Sequence, residues 1–245
     1  MTRPIRNRRR RGVTLMELLI VVTLLGLMTT GMLFAIRIGL TTMERTGARF
    51  SGHRLVLGAE RALEQQVAGI IPVTFECGSP NGARMLFFSG EPDSVRFVTS
   101  HSLEEAGRGY PRIVEYLVIP GERGEGVRLV LNEYHYTGPL SLQPFCLGPG
   151  TDPLTQGPRL APPRLGPRPF VLADRLKSCR ISYLLRGPRG EKIWLPRKAG
   201  RMLPDAIHFE MTPLEPDPSR LRMGPVTLPV RANRDPEEFY HDLLQ

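Results

Sequence analysis

Glu17 is the one ionisable side chain within a long apolar stretch. The nineteen residues that follow it, Leu18 to Ile36, carry no charge. As a helix this run is about 28 Å long, close to the thickness of the hydrocarbon core of a bilayer. A carboxylate at the edge of such a span costs roughly a few kcal/mol unless a partner compensates its charge, so Glu17 is a candidate functional group.

A cut after Gly12 would create that partner. Val13 would become the new N-terminus, Glu17 would become the fifth residue, and a free ammonium would lie at the same edge of the membrane. The amine of one copy could then lie against Glu17 of a neighbouring copy that is shifted along the helix axis. The alternative is that Glu17 reaches the lipid headgroups by itself.

The distribution of charge gives the orientation of the span. The formal net charge is +9, and residues 1–12 contain six arginines and no acid. By the positive-inside rule this basic segment stays in the cytoplasm, so the chain beyond the span lies across the membrane, in the periplasm of a diderm bacterium. An arginine-rich arm can also bind nucleic acid. The apolar span directly after Gly12 argues against that alternative, so we expect no nucleic-acid partner.

Export signals also begin with basic residues. A secretory signal peptide has an apolar core of about 7 to 15 residues and closes with a small-x-small cleavage site. The run here is longer, begins with a carboxylate and lacks that site. A twin-arginine signal would account for the arginines. Neither kind of signal explains Glu17.

Residues Arg10–Val21 read RRGVTLMELLIV, which resembles the class III signal of type IV pilins and type II secretion pseudopilins. The resemblance implies that a membrane aspartyl prepilin peptidase cleaves after Gly12 on the cytoplasmic side and N-methylates Val13. It also implies that Glu17 is the assembly carboxylate. Val13 departs from the usual Phe or Met, which affects methylation rather than cleavage. The partners implied are the peptidase, other minor and major pseudopilins, an inner-membrane assembly platform and the lipid bilayer.

The residues after the leader predict one continuous helix, because no proline occurs between Val13 and Ile71. We assign 1–12 to the leader, 13–36 to the membrane-spanning half of the helix and 37–71 to an amphipathic periplasmic half. One face of the second half carries residues spaced by three or four: Gly52, Val56, Ala59, Leu63, Val67 and Ile70.

Residues 72–245 predict a β-rich periplasmic head. Apolar and polar residues alternate in runs typical of half-buried antiparallel strands, as where Val95 and Phe97 alternate with Ser94 and Arg96. Seven or eight such runs predict an α+β fold: a long N-terminal helix packed on an antiparallel meander, as in pilins. Residues 138–169, with nine Pro and five Gly, predict a long surface loop without strand or helix interior, in preference to a linker between two domains.

Several segments of the head resemble the J-type minor pseudopilin of type II secretion, which implies a non-enzymatic subunit of the fibre tip. The W-type minor pilin of type IV pili shares much of this layout. A signal-anchored periplasmic binding or enzymatic domain is the alternative from a different class. The resembling segments are 94–99, 113–116, 170–185, 194–196 and 203–207.

The cysteines lack metal-site spacing. Across the membrane a disulfide is allowed, and the pair that we expect is Cys77 with Cys146, both in loop-like surroundings. Cys179 lies on the apolar face of a predicted strand, so we expect its thiol to be buried.

The remaining polar residues give weaker indications. The histidines show neither metal spacing nor a nucleophile motif; they are His53, His101, His135, His208 and His241. We therefore expect no catalytic residue and no metal site, with calcium at Glu91, Asp93 and Asp152 as a weaker hypothesis. Residues 235–245 could add a short helix that touches the head.

Overall fold

A computed structural model describes most of the chain. The described residues are 14–77, 84–105, 107–152, 157–187, 189–200, 202–216 and 223–232. The leader 1–12, Val13 and the predicted short helix of 235–245 therefore lie outside them. The chain divides into two units, Met1–Ser51 and Gly52–Gln245, and each is described by itself.

A single helix, α1, covers Leu15–Ala68. It begins after Thr14, whose hydroxyl accepts a hydrogen bond from the Glu17 amide at 3.3 Å, as an N-cap does. The prediction that it continues to Ile71 is wrong. Ile70 and Ile71 instead form the first strand, paired with Thr99 and Val98.

Gly69 explains this early end of the helix. A side chain there would meet Nδ1 of His101 at 2.7 Å and Oγ of Ser100 at 2.9 Å. The chain can turn from the helix into the sheet at this point because glycine leaves room for the neighbouring strand. Isoleucine, which is β-branched, then favours the strand conformation.

The second unit contains thirteen strands among the described residues. They are β1 Ile70–Ile71, β2 Thr74–Glu76, β3 Arg84–Leu86, β4 Ser89–Gly90, β5 Ser94–Ser102, β6 Gly107–Pro120, β7 Val127–His135, β8 Cys146–Thr151, β9 Pro158–Leu160, β10 Phe170–Arg186, β11 Lys192–Leu195, β12 Ala206–Pro213 and β13 Val226–Pro229. The long alternating runs of the sequence all lie in strands. The additional strands are short, between two and six residues.

The main sheet has the order β1-β5-β6-β7-β10-β12-β13, with β4 on β5 and β11 on β10. Every pairing is antiparallel, which confirms the α+β fold with an antiparallel head. The long strand β10 joins two meanders because its first half pairs with β7 and its second half with β12. The change of partner occurs at a bulge where Arg175 adopts φ 54°.

The inner face of the sheet packs on the last turns of α1. Ala59, Leu63 and Val67 of the predicted stripe are buried there, and Val56 is partly buried. Ile70 is also buried, but it contacts the core as part of β1. Gly52, the first member of the stripe, lies on the helix within 41–53, whose burial the structure does not describe.

A second layer covers the outer face of β5, β6 and β7. Much of it comes from the stretch 138–169, for which the prediction of a loop without regular structure is wrong. A 3₁₀ helix occupies Pro139–Phe145, and β8 pairs with β9. Leu142 of the 3₁₀ helix is fully buried against Val98 and Ile113 of the sheet. Proline is compatible with these short elements because they need few backbone donors.

Candidate functional site

The first turn of α1 is set up by Thr14 and Glu17. Glu17 is exposed, and its carboxylate lies in the first turn, where the unpaired amides of a helix N-terminus favour negative charge. Gly12 and Val13 lie outside the described residues. The pairing of Glu17 with a new amine therefore stays a prediction.

The helix from Leu15 to Leu40 is long and apolar enough to cross a membrane. Its side chains are exposed on every side, so no single face is kept for a soluble core. Three hydroxyls are satisfied within the helix: Thr23 donates to the Ile20 carbonyl at 2.9 Å, and Thr29 and Thr30 donate to nearby carbonyls. Such internal bonds suit lipid, where no water can replace them.

A buried glutamine joins the last turns of α1 to the sheet. Gln66 is 2% exposed and donates through Nε2 to Oε1 of Glu133 at 2.6 Å. Its Oε1 accepts a hydrogen bond from the Tyr116 hydroxyl, and its carbonyl accepts one from Thr99 at 2.8 Å. Sequence reasoning missed this residue, although it lies directly before Val67 of the apolar stripe. A polar side chain next to such a stripe is the signal that could have found it.

Glu133 holds the turn after β5 as well as the helix. Its carboxylate accepts from the Leu103 amide at 2.6 Å and from the Ser102 hydroxyl at 2.9 Å. Burial raises the pKa of Tyr116 well above its usual value, and the charge of Glu133 adds to the effect. The Tyr116 phenol is therefore a hydrogen-bond donor throughout the physiological pH range.

A buried ion pair lies beneath the outer layer, on a face of the sheet that the alternation in the sequence predicts to be exposed. Arg96 was predicted to face solvent, but it is 3% exposed and donates through Nε to Oε1 of Glu115 at 2.6 Å. Its guanidinium also lies 4.9 Å from the ring centroid of Phe145. The prediction failed because segments distant in sequence cover this face.

Asn132 connects the proline-rich stretch 138–169 to that ion pair by hydrogen bonds. Its amide donates to Oε2 of Glu115 at 3.2 Å and to the Arg164 carbonyl at 2.8 Å. Its Oδ1 accepts from the Gly166 amide at 3.0 Å. The Asn132 side chain thus links the sheet to the covering segment through both its NH2 group, which donates, and its Oδ1 atom, which accepts.

A disulfide joins Cys77 to Cys146, with Cα atoms 5.6 Å apart. It connects the end of β2 to the start of β8, so it ties together the two small hairpins of the outer layer. Cys179 is a buried free thiol, as predicted, and burial raises its pKa to about 12.

The three acids considered for calcium line one cavity of about 490 Å³. Burial raises the pKa of Glu91, and the negative charges of Asp93 and Asp152 raise it further. Arg197, whose Nε lies 2.8 Å from Oε2 of Glu91, acts on this pKa in the opposite direction. Within the described residues, no group of three or more His, Cys, Asp or Glu side chains is arranged to hold a metal ion. Calcium binding therefore stays a prediction.

His53 lies on α1, and the other histidines that the structure describes lie on different strands. His101 is on β5, His135 on β7 and His208 on β12. Burial lowers the pKa of His101, and the charge of Arg108 lowers it further. His208 contacts the hydroxyl of Thr227 at 2.7 Å.

Comparison with known families identifies the N-terminal segment alone. Residues 7–33 match the prokaryotic N-terminal methylation motif. The match supports the type IV pilin and pseudopilin superfamily, whose motif-bearing members are structural subunits processed by a prepilin peptidase, and it fits a pilin-type membrane anchor. A search of curated proteins finds no match.

Proposed function

We propose that this chain is a minor pseudopilin of a type II secretion system, of the J type, and not an enzyme. One observation carries the proposal: the methylation motif of residues 7–33 overlaps an apolar helix that begins two residues before Glu17. The J-type assignment rests on the resemblance of strand segments such as 94–99 and 203–207. The subunit would be anchored in the bacterial inner membrane, with its N-terminus in the cytoplasm and its head in the periplasm.

Assembly would proceed in three physical steps. The arginine-rich leader holds the N-terminus on the cytoplasmic side. Cleavage after Gly12 releases the amine of Val13, which is then methylated. That amine pairs with Glu17 of a neighbouring subunit while the apolar helices leave lipid to pack on one another.

The surface of the helix supports this sequence of events. Between Leu15 and Leu40 the side chains are exposed on all sides, so neighbouring helices can contact every face. Helix association in a membrane is driven by packing and polar contacts, because lipid is as apolar as leucine. Glu17 is the one charged side chain from Thr14 to Ile36, so it supplies the specific contact.

Mass spectrometry of the protein extracted from membranes tests the cleavage. We expect the loss of twelve residues and a methyl group on Val13. An intact Met1, or a cut beyond Ile36, would contradict the proposal and favour the signal-anchored periplasmic domain.

A crosslinking assay of fibre assembly tests the role of Glu17. Glu17→Ala should still insert into the membrane, but its incorporation into fibres should fall at least about tenfold if the ion pair contributes about 1.4 kcal/mol or more. Met16→Ala is the matched control, because it shortens another exposed side chain of the same turn without removing charge. Equal incorporation of the Glu17 variant and the control would refute the proposed role.

The neighbouring genes distinguish the J-type pseudopilin from the W-type pilin. Adjacent genes for I-type and K-type pseudopilins would support the type II assignment. Secretin and secretion ATPase genes occur in both systems and do not separate them. Neighbouring genes for other type IV pilus minor pilins would overturn the assignment.

A further inference from the structure

The outer layer consists of two separate parts of the chain, residues 72–87 and residues 136–169. The first part lies between β1 and β4, and the second lies between β7 and β10. Among the described residues, the strands of the layer pair as β2 with β3 and as β8 with β9, and none of them pairs with a strand of the main sheet. The layer therefore covers β5, β6 and β7 without continuing their ladder of backbone hydrogen bonds.

One covalent bond joins the two parts of the layer. The disulfide links Cys77 in the first part to Cys146 in the second, across a sequence separation of 69 residues. A hydrogen bond lies nearby, in which Nε2 of Gln143 donates to the Glu76 carbonyl at 2.5 Å. Gln143 is exposed, so water can replace this bond at little cost. The disulfide is thus the stronger of these two connections.

The face beneath the layer differs from a densely packed apolar core. It holds the buried ion pair of Arg96 and Glu115, whose charges would regain hydration on exposure, so that burying them stabilises the closed layer little. A cavity of about 490 Å³ is lined by Pro158 and Pro162 of the layer and by Val95 of the sheet. Side chains that face a cavity lose close contacts on that side. These two features weaken the contact between the layer and the sheet.

The closest packing of the layer on the sheet includes the disulfide itself. Cys77 and the fully buried Leu142 belong to one apolar cluster with Val98 and Ile113 of the sheet. The inner core, between the sheet and α1, is a separate cluster, and it contains no described residue of 136–169. The inner core can therefore stay packed when the layer opens.

We propose that the disulfide between Cys77 and Cys146 is a redox switch for the outer layer. When it is oxidised, it holds the two parts together over the outer face of β5, β6 and β7. When it is reduced, residues 136–169 separate from that face, while the main sheet stays packed on the last turns of α1. The oxidised head covers the pair of Arg96 and Glu115, and the reduced head exposes this pair to water. The switch depends on the disulfide and not on the proposed function.

A dithiol reductant would open the layer by two thiol–disulfide exchanges. Its thiolate attacks Sγ of Cys146, which is partly exposed, whereas Cys77 is 3% exposed. The bond between the two protein sulfurs breaks, Cys77 leaves as a thiolate and takes up a proton, and a mixed disulfide with Cys146 remains. The second thiol of the reductant then attacks this mixed disulfide, forms the reductant's own disulfide and releases Cys146 as a thiol. The protein gains two electrons and two protons, and the dithiol loses them.

The labelling of thiols tests the switch, with Cys179 as a control within the same chain. Cys179 is a free thiol in the inner core, and both it and Cys77 are buried in the oxidised head. We would reduce the full chain in detergent micelles with dithiothreitol, remove the reductant, label with iodoacetamide without denaturant and locate the labels by mass spectrometry. Cys77 should react about tenfold faster than Cys179 or more, because a thiol must be accessible to react.

Amide hydrogen exchange provides a second measurement. Reduction should accelerate exchange in β8 and β9 but leave β6 and β12 protected, and reoxidation should restore the original protection. The variant Cys77→Ser/Cys146→Ser should exchange like the reduced chain and should not respond to dithiothreitol.

Three results would overturn the proposal. If Cys77 reacts as slowly as Cys179 after reduction, the layer stays closed without the disulfide. If both thiols react equally fast, or if β6 also loses protection, the disulfide holds the whole head and not the layer. If dithiothreitol cannot reduce the disulfide in the folded head, the switch cannot operate.

Discussion

Gln66 should contribute more to the stability of the head than any exposed residue of the same turns. The change Gln66→Leu removes the acceptor of the Tyr116 hydroxyl, which is fully buried, and a donor to the charged Glu133. An unsatisfied buried hydroxyl costs about 1–3 kcal/mol, and a hydrogen bond to a charged group contributes about 1.5–3 kcal/mol. Glu133 keeps its bonds to Leu103 and Ser102, so we expect a total loss of about 2–4 kcal/mol.

Urea unfolding of the full chain in detergent, followed by the fluorescence of Trp194, measures this loss. Gln65→Leu is the matched control, because Gln65 is the preceding residue of the helix and is exposed. The control should change the free energy of unfolding by less than about 0.5 kcal/mol. A similarly small change for Gln66→Leu would refute the reasoning.

A double variant separates the buried hydroxyl from general effects on packing. In Gln66→Leu/Tyr116→Phe both partners of the hydrogen bond are removed, so no hydroxyl remains buried without an acceptor. The double variant should therefore be more stable than the sum of the two single changes implies, by about 1 kcal/mol or more. Simple additivity would show that the two groups do not interact.

Three further predictions concern the disulfide, an acid and a thiol. Replacing Cys77 and Cys146 together by Ser should lower the free energy of unfolding by about 4 kcal/mol, because the bridge closes a loop of 69 residues; an unchanged urea midpoint would contradict this. Hydrogen bonds from Arg128 lower the pKa of Asp174, so the stability that this pair provides is present above about pH 4 and is lost as the pH falls through the lowered pKa. Asp174→Asn should therefore reduce the acid sensitivity of unfolding slightly, since the carboxylate is 40% exposed, and an identical pH profile would disprove the link. Cys179 should resist thiol reagents at pH 8 until the head unfolds, because its pKa is raised to about 12; labelling of the native protein at the rate of an exposed thiol would be the contrary result.

The N-terminal part of the chain was predictable because its information is local. The absence of proline predicts a continuous helix, the length of the apolar run predicts a membrane span, and Glu17 is conspicuous against its neighbours. The short motif of residues 7–33 was visible for the same reason. None of these conclusions depends on contacts between distant residues.

The strands were predictable and the surfaces that cover them were not. Alternation predicted correctly that Val95 and Phe97 share the buried face of a strand. The same reasoning failed for Arg96, because alternation shows that two faces differ but not whether the second face is also covered.

The amino-acid sequence by itself determined the helix, the membrane span, the candidate charge at Glu17 and the antiparallel character of the head. The tertiary structure alone decided that Gln66 joins the helix to Glu133 and that the proline-rich stretch buries the pair of Arg96 and Glu115. The physical reason is that a buried polar group needs a partner, and here each partner is supplied by a segment distant in sequence. The local periodicity of the sequence does not indicate which distant segment supplies that partner.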